Sequence, residues 1–168
     1  MTATRVEQLK RDTFRNPIML CATGFGMGWF PWAPGTLASI VALFIWWVFL
    51  SGQSAWVQIL VVVVFCFFTL AILGLFTRRY GKQDFPFIVI DEILGMWVAC
   101  LLLPPVWLLM LAVFVGFRFF DIVKPWPISW IDRNVKGSIG ITLDDLVAGG
   151  VTCVLAHGLW IILTYFNV

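Results

Sequence analysis

The chain has 168 residues, 61% of them apolar, 17% aromatic and 12% charged, and its net charge is +2. A soluble domain carries roughly 25% charge, so this composition excludes a disordered chain, a nucleic-acid module with a basic face and a water-soluble monomer. The lipid bilayer is the expected solvent, and the placement of the few charges says more than their sum.

Residues 1–16 form a basic segment, set apart from a single helical domain over 17–168. The segment is too polar for the apolar core of a signal peptide. As a surface helix it would lay Val6, Leu9 and Phe14 against lipid. No charge falls between Asn16 and Thr77. Gly24-Phe25-Gly26-Met27-Gly28, then Pro34, Gly35 and Thr36, lead into an apolar stretch over Thr36–Leu50. Such a loop can turn backbone N–H groups toward an oxyanion at a helix N-terminus, or it can simply permit close helix packing. No strand precedes it and no Lys follows Gly35, so neither a dinucleotide fingerprint nor a Walker loop is supported.

Ser51-Gly52-Gln53-Ser54 makes a turn. Ala55–Phe76 follows as an apolar run that rises about 33 Å as a helix, enough to cross a hydrocarbon core. Ile88–Leu103 and Val106–Phe120, separated by Pro104-Pro105, give only about 22 to 24 Å each, as does Thr36–Leu50, so these three are short, tilted or re-entrant. Ala148–Phe166 is a second full-length candidate. The predicted fold is therefore all-α, an integral membrane protein of about five apolar helices.

Arg5, Lys10, Arg11 and Arg15 precede the first apolar helix. Arg78, Arg79 and Lys82 follow the second, and Arg118, Lys124, Arg133 and Lys136 follow the fourth. The other turns and the C-terminus carry no Lys or Arg. The positive-inside rule then puts the N-terminus and the charged face in the cytoplasm. Cys21, Cys66, Cys100 and Cys153 are scattered without a CxxC pair and read as packing residues. His157 falls in mid-helix and reads as a packed side chain. Trp29, Trp32, Trp126 and Trp130 flank the charged face and suit an interfacial belt.

The acids are concentrated. Up to residue 84 there are seven bases and three acids; beyond it there are four bases and six acids: Asp91, Glu92, Asp121, Asp132, Asp144 and Asp145. The proposed topology brings Asp91-Glu92, Asp121 and Asp144-Asp145 to the cytoplasmic ends of three apolar helices. Carboxylates crowded at a membrane surface repel one another, and desolvation adds to the cost. A bound cation relieves it, and hard oxygen ligands suit Mg²⁺, Mn²⁺ or Ca²⁺. A structural account is helix capping, with Thr142 as cap and Asp145 three residues on. It explains one acid of each pair, not two. Arg118, Asp121 and Lys124 recur every third residue and share a helix face. They form either an interfacial ion pair or an anion-holding group, and Pro125 and Pro127 stop that helix. The acids alone leave an enzyme, a cation transporter and an assembly protein all open.

Gly24-Phe-Gly-x-Gly…Pro34-Gly35-Thr36, Asp91-Glu92-x-x-Gly95-Met96-Trp97, Phe117-Arg118-x-x-Asp121-x-x-Lys124-Pro125-x-Pro127-Ile128-x-x-x-Asp132-Arg133, Gly140 and Asp144-Asp145-x-x-Ala148-Gly149 occur in that order. Together they resemble the phosphatidylglycerophosphatase A family. The resemblance implies a Mg²⁺-dependent bacterial inner-membrane phosphatase of phospholipid biosynthesis. It would convert phosphatidylglycerophosphate to phosphatidylglycerol and phosphate. It implies catalytic and metal-holding roles for Asp91, Glu92, Asp121, Asp144 and Asp145. Phosphate binding would fall to Arg118, Lys124, Arg133, Gly26, Gly35 and Thr36. Other phosphatase chemistries have no footing: no Cys has Arg six residues on, no Asp-x-Asp occurs, and the single His is mid-helix.

Overall fold

The computed structural model describes residues 3–81 and 85–166, with side chains at Glu7 and from Leu9 onward. The side chains of Arg5 and Val6, and all of Lys82 and Asp84, lie outside the described residues. Among the described residues eight α-helices follow one another: α1 (Ala3–Asp12), α2 (Pro17–Ala22), α3 (Pro34–Ile45), α4 (Ala55–Tyr80), α5 (Ile90–Ala99), α6 (Trp107–Val123), α7 (Ile128–Asn134) and α8 (Ser138–Tyr165). No strand occurs among the described residues. A π-helical stretch, Trp46–Leu50, extends α3.

The five expected apolar helices are α3, α4, α5, α6 and α8, but among the described residues only α4 and α8 are long and apolar enough to cross a membrane. The others end early for local reasons. α3 and its extension run out at the Ser51–Ser54 turn. α6 begins after Pro104-Pro105. α5 is shortest, ten residues, because Pro86 precedes it and a turn at Cys100–Leu103 closes it. The expected start of the last helix moves most. α8 begins at Ser138, with Gly137 (φ 81°) as N-cap, a full ten residues before Ala148.

α5 is the hub, packed against α3, α4, α6 and α8. Small residues make this possible. A Cβ on Gly149 would stand 2.3 Å from the Gly95 carbonyl oxygen, and one on Gly95 would stand 2.8 Å from that of Asp145. The α5 and α8 backbones therefore touch. One core cluster, with Trp46, Leu94, Met96, Met110 and Phe117, fills the space around α5. A second, with Leu9, Met19, Leu73, Phe76, Phe85 and Phe87, joins α1, α2 and α4 to the 85–90 segment. Leu9 thus faces protein rather than lipid, while Phe14 is exposed. Trp29 also leaves the expected belt. It stacks on Phe87 at 4.4 Å and donates from Nε1 to Thr13 Oγ1 at 2.8 Å. Trp32, Trp126 and Trp130 remain exposed.

The outer faces are apolar. Only 22% of the most apolar stretch of α4, and 22% of that of α8, is buried in the protein; Leu60, Val64 and Phe67 point outward. Asn16 donates to the Tyr80 hydroxyl at 2.8 Å, and Gly74 lies beside Ser138. These contacts gather the C-terminal end of α4, the start of α2 and the start of α8 at one end. At the other end Gln58 accepts from the Leu102 amide and donates to the Gln53 carbonyl, each at 3.0 Å. The turns it joins carry no Lys or Arg.

Candidate active site

Five acids reach one pocket from three helices. Asp91 and Glu92 sit in the first turn of α5, where the helix dipole stabilises negative charge. Asp121 lies in the last turn of α6. Asp144 and Asp145 are the seventh and eighth residues of α8, about two turns in. The capping account fails for them, because the dipole effect fades beyond the first turn and Thr142 instead donates to the Ser138 carbonyl at 2.9 Å. Asp91, Asp144 and Asp145 are each at most 6% exposed.

All five acids line a pocket enclosing about 390 Å³, part of it open to solvent, walled also by Phe85, Pro86, Ile88, Lys124 and Ile141. Asp145 is the focus of the electrostatics. Asp121, Asp91, Glu92 and Asp144 all repel its ionised form. Of the bases, Lys124 lines the pocket and Arg118 reaches its acids from outside that lining. Arg118 Nη1 is 2.5 Å from Asp121 Oδ2 and 3.7 Å from Glu92 Oε1, so the expected three-residue spacing does form an ion pair. Arg118 Nε is buried without a hydrogen-bond partner among the described residues. α6 stops at Val123, and Lys124 takes the left-handed C-cap position (φ 45°). Its ammonium reaches Asp144 Oδ2 at 2.5 Å and Asp132 Oδ1 at 2.7 Å. Burial acts to lower the Lys124 pKa, but the hydrogen bonds to Asp132 and Asp144 outweigh it and hold the value above the usual lysine range.

Gly35, in the first turn of α3, backs directly onto this group. A Cβ there would stand 1.7 Å from Glu92 Oε1 and 3.2 Å from Arg118 Nη1. Thr36 follows it, half-buried, without lining the pocket. Gly26 and Arg133 are not brought in. Every amide from Gly24 to Phe30 donates to a backbone carbonyl of residues 20–27, and Gly26 lies against Phe14. The glycines serve packing instead: Gly28 is so close to Phe87 that a Cβ would stand 1.9 Å from its carbonyl oxygen. Arg133 is exposed on α7. Sequence reasoning missed the apolar walls, Phe85, Ile88 and Ile141, which carry no chemical signature. It also missed Asp132 as the second partner of Lys124, although that acid stood within the quoted pattern.

The donor set suits a hard divalent cation, since all five side chains offer carboxylate oxygens. Among the described residues, no three of them are drawn together as a finished coordination shell. Holding an ion therefore requires side-chain rotation into the pocket they share.

A family model for phosphatidylglycerophosphatase A matches residues 20–160, which spans every element of the pocket. The chain belongs to the phosphatidylglycerophosphatase A family. It is 41% identical over 143 residues to the phosphatidylglycerophosphatase A of Escherichia coli K12, covering 82% of this chain and 80% of that protein. It is 35% identical over 167 residues to the Haemophilus influenzae phosphatidylglycerophosphatase A, covering 95% and 99%. A Bacteroides thetaiotaomicron protein, provisionally named a phosphatidylinositol-3-phosphatase, is 35% identical over 163 residues, covering 92% and 99%. No solved structure gives a significant match. Membership makes the chain a phosphatase and agrees with a site built of acids and bases rather than of Cys or His.

Proposed function

We propose that the chain hydrolyses the terminal phosphomonoester of phosphatidylglycerophosphate, releasing phosphatidylglycerol and inorganic phosphate, at the cytoplasmic face of a bacterial inner membrane and with Mg²⁺ as cofactor. The observation that carries the reading is the single pocket lined by Asp91, Glu92, Asp121, Asp144 and Asp145 with Lys124 at its edge. It lies at the end of a bundle whose outer faces are apolar. The basic ends of α4 and α6 share that end, which supports an inward-facing site.

Asp91, Glu92, Asp144 and Asp145 would hold the cation, with Asp121 as a further ligand. When bound, Mg²⁺ acidifies water and draws charge from phosphoryl oxygens. The chain does the rest. Arg118 and Lys124 offset negative charge on the phosphoryl group as it transfers, and the buried Arg118 Nε has a donor to give. Whichever of these five carboxylates the cation leaves free takes the proton of the attacking water. The water oxygen–phosphorus bond forms, the phosphorus–glycerol oxygen bond breaks, and a proton goes to the departing alkoxide. Phosphomonoesters are among the slowest biological bonds to hydrolyse, so this concentration of charge is needed.

The test is phosphate release from phosphatidylglycerophosphate by purified protein in detergent, across a Mg²⁺ titration. Asp91→Asn and Asp145→Asn should each lower kcat by at least about 100-fold while melting remains cooperative. Wild-type rates in both variants would sink the assignment of the acids. Full activity in excess chelator would sink the metal. The same assay with phosphatidylinositol-3-phosphate addresses the second activity that the Bacteroides relative's name raises.

A further inference from the structure

On α6, Ala112, Gly116 and Phe120 recur every fourth residue, with Lys124 capping the helix four residues further on; on α8, Asp144, Ala148, Thr152 and Ala156 recur at the same spacing. Residues at this spacing line one helix face. Two contacts fix how these faces meet. Lys124 pairs with Asp144, and a Cβ on Gly116 would stand 3.2 Å from the Thr152 methyl. The pairs lie eight residues apart on both helices, so the antiparallel stripes stay in register for about 12 Å.

One end of this seam closes on the acid pocket. The other opens into an apolar groove of about 330 Å³, lined in part by Ala112, Gly116, Phe120, Thr152, Ala156 and Leu159. The groove exists because small residues face each other across the seam. The Thr152 hydroxyl is turned away into its own helix, donating to the Ala148 carbonyl at 2.8 Å, which leaves its methyl toward Gly116. No charged side chain lines the groove.

We propose that this groove holds one acyl chain of the lipid whose phosphate enters the acid pocket. The proposal rests on reading the substrate as a lipid phosphomonoester. The choice of occupant comes from proximity along one seam: the apolar groove ends at Phe120, one helical turn from Lys124 of the charged pocket, so one amphiphile can reach both. Hydrocarbon in a bilayer is already as apolar as Leu, so the groove adds little hydrophobic attraction. Its effect is alignment. A chain lying along the seam points its own headgroup at Lys124 and Asp144, and such positioning shows in kcat/KM.

The experiment compares dioleoyl and dihexanoyl phosphatidylglycerophosphate, presented to the full chain in the same micelles. Ala112→Leu fills the groove from α6. It should lower kcat/KM for the dioleoyl substrate about tenfold and leave the dihexanoyl substrate within about twofold. Gly116→Ala, a smaller intrusion, should act in the same direction and more weakly. An equal change for both substrates, or no change in either variant, overturns the proposal. If wild-type protein releases no phosphate from either lipid, the phosphatase reading fails first. The groove is then judged by photocrosslinking phosphatidic acid carrying a diazirine in its chain. Adducts confined to residues 112–120 and 152–159, and lost in Ala112→Leu, support it. Adducts spread evenly over α4 and α8, or on a second copy of the chain, overturn it.

Discussion

Replacing Gly35 with Ala should inactivate the enzyme while leaving it folded. The added Cβ would stand 1.7 Å from Glu92 Oε1 and 2.6 Å from Glu92 Cδ. The carboxylate must retreat by roughly 1.5 to 2 Å to reach ordinary van der Waals contact. It can do so, because the clash is with the far end of a flexible side chain and not with backbone. The retreat breaks the 3.7 Å pairing with Arg118 and removes one acid from its place in the pocket. A misplacement of about 1 Å can cost about 100-fold in rate, or about 2.7 kcal/mol of transition-state stabilisation. Stability moves less. Crowding costs about 1 to 3 kcal/mol, and exchanging Gly for Ala within a helix returns up to about 1 kcal/mol. The assay pairs initial rates of phosphate release with thermal melting of the same detergent preparation. A fall in kcat of two orders of magnitude with Tm lowered by only a few degrees is expected. Full activity in Gly35→Ala would refute the reasoning, since the position of Glu92 would then not matter.

Gly149→Ala tests the opposite regime: its Cβ would stand 2.3 Å from the Gly95 carbonyl oxygen, backbone that cannot swing aside. The α5 and α8 helices must part, at a cost of about 1 to 3 kcal/mol or more, and an unchanged Tm would contradict the packing. Lys124→Met leaves Asp144, 6% exposed, without its ammonium partner and should cost about 1 to 3 kcal/mol. Because folding raises the Lys124 pKa above its ordinary value of 10.5, this stabilisation is fully present below about pH 10.5 and fades only at higher pH. The Tm gap between wild type and variant should therefore not narrow as pH rises from 6 to about 9; a gap that closes within that window would contradict the pairing. Arg118→Lys keeps the charge but loses the guanidinium, whose Nη1 meets Asp121 and Glu92 and whose Nε is a further buried donor, and kcat should fall about tenfold or more.

The acids were legible because charge is scarce. In a chain that is 12% charged, each carboxylate beside an apolar run needs a reason, and Asp91, Glu92, Asp121, Asp144 and Asp145 do share a pocket. The Arg118–Asp121 pair was legible from helical spacing alone. The length of α8 was not. Ser138–Val147 mixes Gly, Thr and two Asp with Ile and Leu, and hydropathy discounts such a stretch; in the structure it packs tightly, with Gly140 against Val135 and the Asp145 carbonyl against Gly95. The glycines of residues 24–28 were ambiguous for a related reason. An N–H can meet a ligand or a neighbouring carbonyl, and sequence does not reveal which carbonyls lie nearby. Leu9 and Trp29 were misplaced because an apolar side chain reads the same whether lipid or protein covers it.

The position of Asp145 along α8 has one more consequence. From Asp145 to Tyr165 the helix rises about 30 Å, close to the thickness of a bilayer's hydrocarbon core. With α8 set across the membrane as proposed, the carboxylate is fixed to a rigid rod whose far end is held at the opposite surface. The depth of the reacting phosphate is then geared to membrane thickness. Thicker bilayers would draw the acids below the headgroup plane and thinner ones would lift them above it. The lipid composition to which this chain contributes would in turn set how readily its substrate can be reached.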